Sequence, residues 1–256
     1  MIRSPIVSLI LCCLLSFDTR AESSGQELVL AVIYAEGQPF YAFDDNTHQS
    51  SGLFSDIAQQ LALSLDIKVH FLPTARNKIE NDIIEHKADA GFLAPKWLNT
   101  PEALVFSEPV FTYQHAFYAI SAPNKNLALV SRVKGKSVCL RENYNYPELD
   151  AWLQDGSLTP VRVSRHSRLF DMLQLARCDL IYTNTFRARW TLRNHDFVKA
   201  VYQVGTMGNI DEIPLAFSLA WSDKMPQVNA AIAALRESGI LQRIIEKNMA
   251  LKDVSE

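Results

Sequence analysis

Short unbroken apolar runs alternate along this chain with longer stretches whose apolar positions recur at helical spacing. Residues 28–33 form a continuous apolar run, the pattern of a strand covered on both faces. After Gly52, the positions Leu53, Phe54, Ile57, Ala58, Leu61 and Leu65 fall on one face of a helix. Residues 67–72 read as a second strand, 76–86 carry Ile79, Ile83 and Ile84 at helical spacing, and 89–93 read as a third strand. Strands alternating with amphipathic helices predict a parallel, doubly wound sheet.

The stretch 88–118 breaks this rhythm. It stops at Pro95, turns through Asn99, Thr100 and Pro101, and re-enters apolar sequence at Phe106-Ser107-Glu108-Pro109 before running extended toward Ile120. It reads as the edge of a ligand cleft followed by the first crossing between two lobes. A second round follows, with strands expected at 137–140, 161–164, 180–183 and 198–204. Helices are expected at 147–154, around Leu169, Met172, Leu173 and Ala176, and at 185–193. Asp155-Gly156 ends the first of these, glycine supplying the left-handed stop. Residues 214–220 read as the return crossing, and Gly239 separates two closing helices at 230–237 and 241–248. The two rounds are architectural repeats, not sequence repeats.

The N-terminus changes the compartment. Arg3, an apolar run over 6–15 and the small-residue site Thr19-Arg20-Ala21 predict a cleavable signal peptide over residues 1–21. That run is too short to span a bilayer. Neither Cys12 nor Cys13 follows a Gly, Ala or Ser, so the expected product is soluble and periplasmic, without lipid. The formal charge is −3, and no basic stripe with interleaved aromatics occurs, which argues against a nucleic-acid partner. Cys139 and Cys178 outlast cleavage, an even pair suited to a disulfide in an oxidising compartment. Two cysteines alone make a poor metal site, and neither metal nor cofactor is expected. Enzyme signatures are missing: no Gly-x-Ser-x-Gly elbow, no phosphate loop and no His-Glu-x-x-His helix. The six histidines (His48, His70, His86, His115, His166 and His195) are scattered.

Seven short motifs fall in a telling order. They are Pro39-Phe40, Gly52-Leu53-Phe54, Lys87-Ala88-Asp89, Phe106-Ser107-Glu108-Pro109, Gly135 to Val138, Arg177-Cys178-Asp179, and the closing helix pair from Val228-Asn229 through Ser238-Gly239 to Lys247. Together they make the chain resemble the bacterial extracellular solute-binding proteins of family 3, with the type II periplasmic-binding-protein fold. The resemblance implies a two-lobed α/β fold, each lobe a mostly parallel sheet flanked by helices, joined by two hinge crossings. Lobe 1 would comprise 27–112 and 214–250, and lobe 2 would comprise 117–210. The implied strand order makes the strands of Cys139 and Cys178 neighbours. It also implies crossings near 112–116 and 210–214 that close the lobes on a small solute.

Departures from the family's amino-acid binders bear on the ligand. Those proteins carry an Arg shortly before the Phe-Ser pair to fork onto an α-carboxylate. This chain has Asn99-Thr100-Pro101-Glu102-Ala103 there. Where they place an Asp for the α-ammonium, at the end of lobe 2's third strand, this chain has Asn184. Replacement cations are Lys96, just past the third strand, and Arg76, at the mouth of the helix after the second; the bland reading of each is a solvated charge or helix-end salt bridge. Tyr34, Phe40, Tyr41, Trp97, Phe111, Tyr113, Tyr144 and Tyr146 fall at or beside strand ends. Most aromatics are core residues, so a subset would line the cleft. The loop Asn143-Tyr144-Asn145-Tyr146-Pro147 opens a helix, where backbone N–H groups can receive an anion. Asn143 stands where family members often have Gly, and Asn tolerates the same left-handed backbone. The expected ligand-binding set is therefore Tyr34, Phe40, Arg76, Lys96, Trp97, Tyr113, Asn143, Tyr144, Tyr146 and Asn184.

The expected function is capture of a small polar or carboxylate-bearing solute by a monomer, for delivery to the permease of an ABC-type inner-membrane transporter. A ligand-sensing receptor of the same fold is the first alternative. A periplasmic dehydratase-like lyase is the second, since a few proteins of the fold are dehydratases.

Overall fold

The first apolar run becomes β1 (Glu27–Ile33) in the structure, a computed structural model that describes residues 26–33 and 37–249. The expected leader with Cys12 and Cys13, and Tyr34, lie outside the described residues. A small hairpin follows, β2 (Ala42–Asp44) and β3 (Gln49–Ser51), and then α1 (Leu53–Leu65). The stripe read from sequence is what α1 buries: Leu53, Ile57, Ala58 and Leu61 are inaccessible. The chain continues through β4 (Lys68–Thr74), α2 (Ile79–Ile84) and β5 (Ala90–Phe92). Two 3-10 turns, Pro95–Trp97 and Pro101–Ala103, lead to β6 (Leu104–Phe106).

The long strand β7 (Phe111–Ala119) leaves this sheet for a second one. There follow α3 (Leu129–Val133), β8 (Lys136–Arg141), α4 (Asp150–Gln154), β9 (Leu158–Val163), α5 (His166–Gln174), β10 (Leu180–Asn184) and α6 (Thr185–Asn194). The return is made by β11 (Tyr202–Ile213), which runs antiparallel to β7 with register shifts between Gln203 and Gly205 and between Met207 and Asp211. Then β12 (Leu215–Ser218) re-enters the first sheet, and α7 (Met225–Glu237) and α8 (Ile240–Met249) pack over it. The return crossing thus lies within β11, whereas 215–218 is a buried strand of the first sheet.

The first sheet has the order β4-β1-β5-β12-β6 and the second β11-β7-β10-β8-β9. Both are parallel where strand and helix alternate: β1 with β4 and β5, and β8 with β9 and β10. Antiparallel pairings occur where the chain crosses or returns, at β12 with β5 and β6 and at β7 with β10 and β11. The sheets are therefore mixed, because each crossing brings a strand in from the opposite direction.

Both rounds anchor their strands by the same device. Asp89, just before β5, accepts from the backbone N–H of Val29 at 2.7 Å and from the indole of Trp221 at 3.0 Å. Asp179, just before β10, accepts from the backbone N–H and hydroxyl of Ser137 at 2.8 and 2.6 Å. These hydrogen bonds hold the Asp179 carboxyl below its usual range. Beside it, Cys139 on β8 and Cys178 form a disulfide with the Cα atoms 5.8 Å apart.

Candidate functional site

The parallel strands of each sheet end on the same side, and the two sets of ends face a common cavity. Such a crevice at strand carboxyl ends is where open α/β sheets bind ligands. From the first sheet's side come Ile33, Gly37, Phe40, Arg76, Phe92, Leu93 and Trp97. From the other come Tyr144, Asn145, Tyr146, His166, Thr183, Asn184 and Arg187. Tyr113 and His115 on β7 line the space where the chain crosses. Its volume is about 90 Å³, room for several water molecules.

Each wall residue is set by local structure. Gly52 has φ 101°, which lets the first amides of α1 turn back on the preceding loop. Leu53 N–H donates to the Pro39 carbonyl at 3.1 Å and Phe54 N–H to the Phe40 carbonyl at 2.7 Å. That pins Phe40, whose ring lies 5.0 Å from Phe54 and 6.2 Å from Tyr113. Trp97 stacks on Tyr113 at 5.8 Å. Asn184 caps α6, its side-chain oxygen accepting from the N–H groups of Phe186 and Arg187 at 2.8 and 3.2 Å. Its Nδ2 makes no hydrogen bond of normal geometry, although the residue is only 7% exposed.

The two lobes meet over the cavity. Asn145 Nδ2 donates to the Trp97 carbonyl at 3.3 Å, and Arg187 donates to the Gln38 carbonyl. The Arg76 guanidinium sits 5.6 Å over the Tyr144 ring, and that of Arg187 sits 5.2 Å over Phe40. Arg141 approaches the Tyr144 ring at 5.8 Å. His166 Nε2 lies 3.1 Å from the Tyr144 hydroxyl. Burial, then the charges of Arg187, Arg141 and His115, push the His166 pKa well below its ordinary value, so its imidazole is neutral. Burial first, then the charges of Asp211 and Tyr144, push the Tyr113 phenol up, so it stays protonated. Among the described residues, the lining holds guanidinium, imidazole, amide and phenol groups but no carboxylate.

A row of polar groups closes one flank. Lys96 pairs with Asp211 of β11, and Asp211 Oδ2 lies 3.2 Å from His115 Nδ1. His115 Nδ1 is 3.9 Å from Glu148, which accepts from the Tyr182 hydroxyl at 2.8 Å. The row links the turn after β5 to the second sheet through both crossing strands. Burial pushes the Asp211 carboxyl up, but hydrogen bonds from His115 and Lys96 and their charges outweigh it, so its pKa lies below the usual value.

Of the residues singled out from sequence, Phe40, Arg76, Trp97, Tyr113, Tyr144, Tyr146 and Asn184 line the cavity. Lys96 lies outside the lining, its ammonium held by Asp211. Asn143 also lies outside it; its φ of 61° is the left-handed backbone expected there. His166, Thr183 and Arg187 line it without having been singled out. Their signal was position: His166 opens the helix after β9, and Thr183 and Arg187 flank the junction of β10 with α6.

The profile of the bacterial extracellular solute-binding proteins, family 3, matches residues 30–250. Comparison with curated proteins gives no sequence match. Several solved structures share the fold. An ancestral arginine-binding protein bound to arginine superposes with a TM-score of 0.72 at 21% identity, over 86% of this chain and 97% of that one. A histidine kinase sensor domain with similarity to periplasmic binding proteins gives 0.71 at 15%, over 89% and 97%. The ancestral amino-acid-binding protein AncCDT-1, a precursor of cyclohexadienyl dehydratase, gives 0.70 at 19%, over 87% and 95%.

Proposed function

The chain belongs to the bacterial extracellular solute-binding proteins of family 3, and from that premise we propose that it captures a small carboxylate-bearing solute in the periplasm for an ABC-type transporter. The observation that carries this reading is the cavity closed between two lobes, lined from both sides and rimmed by contacts that form only when the lobes meet. Arg76 supplies the anion site: it makes no ion pair among the described residues, and its guanidinium edge is oriented by stacking on Tyr144. Asn184 adds a buried N–H donor with capacity to spare at the start of α6, where the helix terminus also favours negative charge. In this reading 1–21 is a cleaved leader, 27–112 with 214–250 forms lobe 1, and 117–210 forms lobe 2.

The cleft serves binding without turnover. In support, among the described residues no carboxylate lines the cavity beside its two imidazoles to act as a second acid or base. Native mass spectrometry of periplasmic protein, with identification of what is released on denaturation, tests the reading. The expected result is one small acid bound one to one and recovered unchanged after long incubation. Loss of the bound mass with appearance of a smaller product would establish a lyase instead. A sensing role uses the same closure, and pull-down from solubilised membranes discriminates the two: a permease supports delivery, a kinase supports sensing.

A further inference from the structure

Aromatic side chains are concentrated at this cavity beyond what the chain's composition supplies. Eight of its 22 lining residues are Phe, Tyr or Trp, against 10% aromatic residues in the whole chain. Part of this is the buried floor, where Phe54 stacks on Phe92 at 4.2 Å. The upper walls are different. Trp97 and Tyr113 stack on one another, their ring centroids 5.8 Å apart and their planes inclined by only 15°, a stack that a further ring can extend. Tyr144 stands on the other lobe, with guanidinium groups over its ring at 5.6 and 5.8 Å.

The polar groups between these walls are donors. Arg76 has no acidic partner among the described residues, and the Asn184 amide, more than nine-tenths buried, makes no hydrogen bond of normal geometry through Nδ2, its interaction with the Tyr113 phenol leaving donor capacity to spare. Leaving such a donor unsatisfied costs on the order of 1–3 kcal/mol, which a ligand oxygen would recover. Beside His166 the neighbouring charge is positive, from Arg187 and Arg141, and no carboxylate lines the cavity among the described residues, although the charge of Asp211 reaches Tyr113 from behind. A ligand ammonium placed beside His166 would be opposed by the same charge. Size sets the last limit. A volume of about 90 Å³ is about three waters' share of liquid volume and less than the roughly 150 Å³ of a cavity that takes benzene, so a single ring with a short acidic arm enters only as the walls part a little, and a disaccharide is too large.

Resting on the solute-binding reading above, we infer that the ligand is a single-ring aromatic carboxylate without an α-ammonium, its ring against Trp97 and Tyr113 and its carboxylate on Arg76 and Asn184. Aromatic rings gain from offset stacking beyond their buried area, whereas a saturated ring of equal size does not.

Calorimetry on the mature wild-type chain, stripped of bound ligand by unfolding and refolding, tests this with matched probes. Phenylacetate is expected to bind at least tenfold more tightly than cyclohexylacetate and than L-phenylalanine. Arg76→Ala should weaken phenylacetate by about thirtyfold or more, with Arg76→Lys in between. Trp97→Leu should collapse the preference for the aromatic over the saturated ring, with its thermal unfolding checked to confirm folding. Equal binding of both rings, or L-phenylalanine binding as tightly as phenylacetate, overturns the inference. Should none of these acids bind while another class of solute does, the inference fails and the solute-binding reading stands. Should no solute bind and nothing co-purify, both fail. The wild-type comparisons decide the matter even where a variant does not fold.

Discussion

Gly52 shows how one residue positions a binding wall. A Cβ there would lie 2.7 Å from the Phe40 carbonyl oxygen, at a backbone φ of 101° that side chains rarely adopt. Gly52→Ala should destabilise the protein by about 1–3 kcal/mol, and differential scanning calorimetry should register a fall of several degrees in Tm. Glu80 acts in a comparable way inside the first lobe. Only 6% exposed, its carboxylate accepts from the backbone N–H groups of Asn99 and Thr100 at 2.7–3.0 Å and from both their side chains. Burial raises its pKa, but these donors together lower it below the model-compound value of 4.5. A depressed folded-state pKa contributes stability that is present above the unfolded value and lost as pH falls through the folded one. Glu80→Gln should therefore unfold at a lower temperature than wild type near pH 7, by an amount equivalent to roughly 2 kcal/mol. The gap should narrow as pH drops below about 4.5. A constant gap from pH 7 to 3 would show that the carboxylate charge is not what matters.

The second sheet shows what pairing adds to pattern. The disulfide joins β8 to the segment entering β10 across a sequence separation of 39 residues. A loop of that length implies up to about 4 kcal/mol from restricting the unfolded chain. Cys139→Ala with Cys178→Ala should lower the urea midpoint and raise m, because the released unfolded chain exposes more surface, and reductant should no longer affect the variant. Most strands and helices were legible because periodicity is local: the α1 face and the β1, β5, β8 and β10 runs each fall where apolar spacing puts them. The hairpin β2–β3 was not, since AFD and QSS carry no apolar alternation. The full reach of β11 was hidden too, because Asp211 and Glu212 carry no strand signal and are strand by pairing with Tyr113 and Thr112 of β7, past a register shift that holds Gly208 and Asn209. The same locality limited the site. Arg187 lies in a polar helix and reads as a solvated charge; it is buried because Gln38 and Phe40 come to it from the other lobe. The partner that holds Lys96 was hidden likewise, because Asp211 lies 115 residues further on.

The Lys96–Asp211 pair ties the turn after β5 to a crossing strand. The Lys96 side chain is 40% exposed and that of Asp211 4%, so the pair is half screened and worth less than a fully buried one. Lys96→Ala should shift unliganded protein toward an open form, seen as a larger radius of gyration in small-angle scattering. Saturating ligand should restore compaction, at an affinity reduced about three- to tenfold because less of the protein is competent to bind. Abolished binding with an unchanged radius would instead make Lys96 a direct ligand contact. The strand order carries another consequence, for the time course of assembly. In the first sheet β6 is held only through β12, and β12 follows the whole of the second sheet in sequence. The half of the molecule that begins first is therefore completed last. The second half, contiguous from β7 to β11, can condense around its own core while the first still lacks its central antiparallel strand and the helices α7 and α8. Until they arrive, Leu53, Ile57 and Leu61 of α1 lack Val228, Ile232 and Leu235 of their core cluster. The nascent N-terminal segment thus carries an uncovered apolar face through most of its synthesis, the kind of surface that chaperones bind.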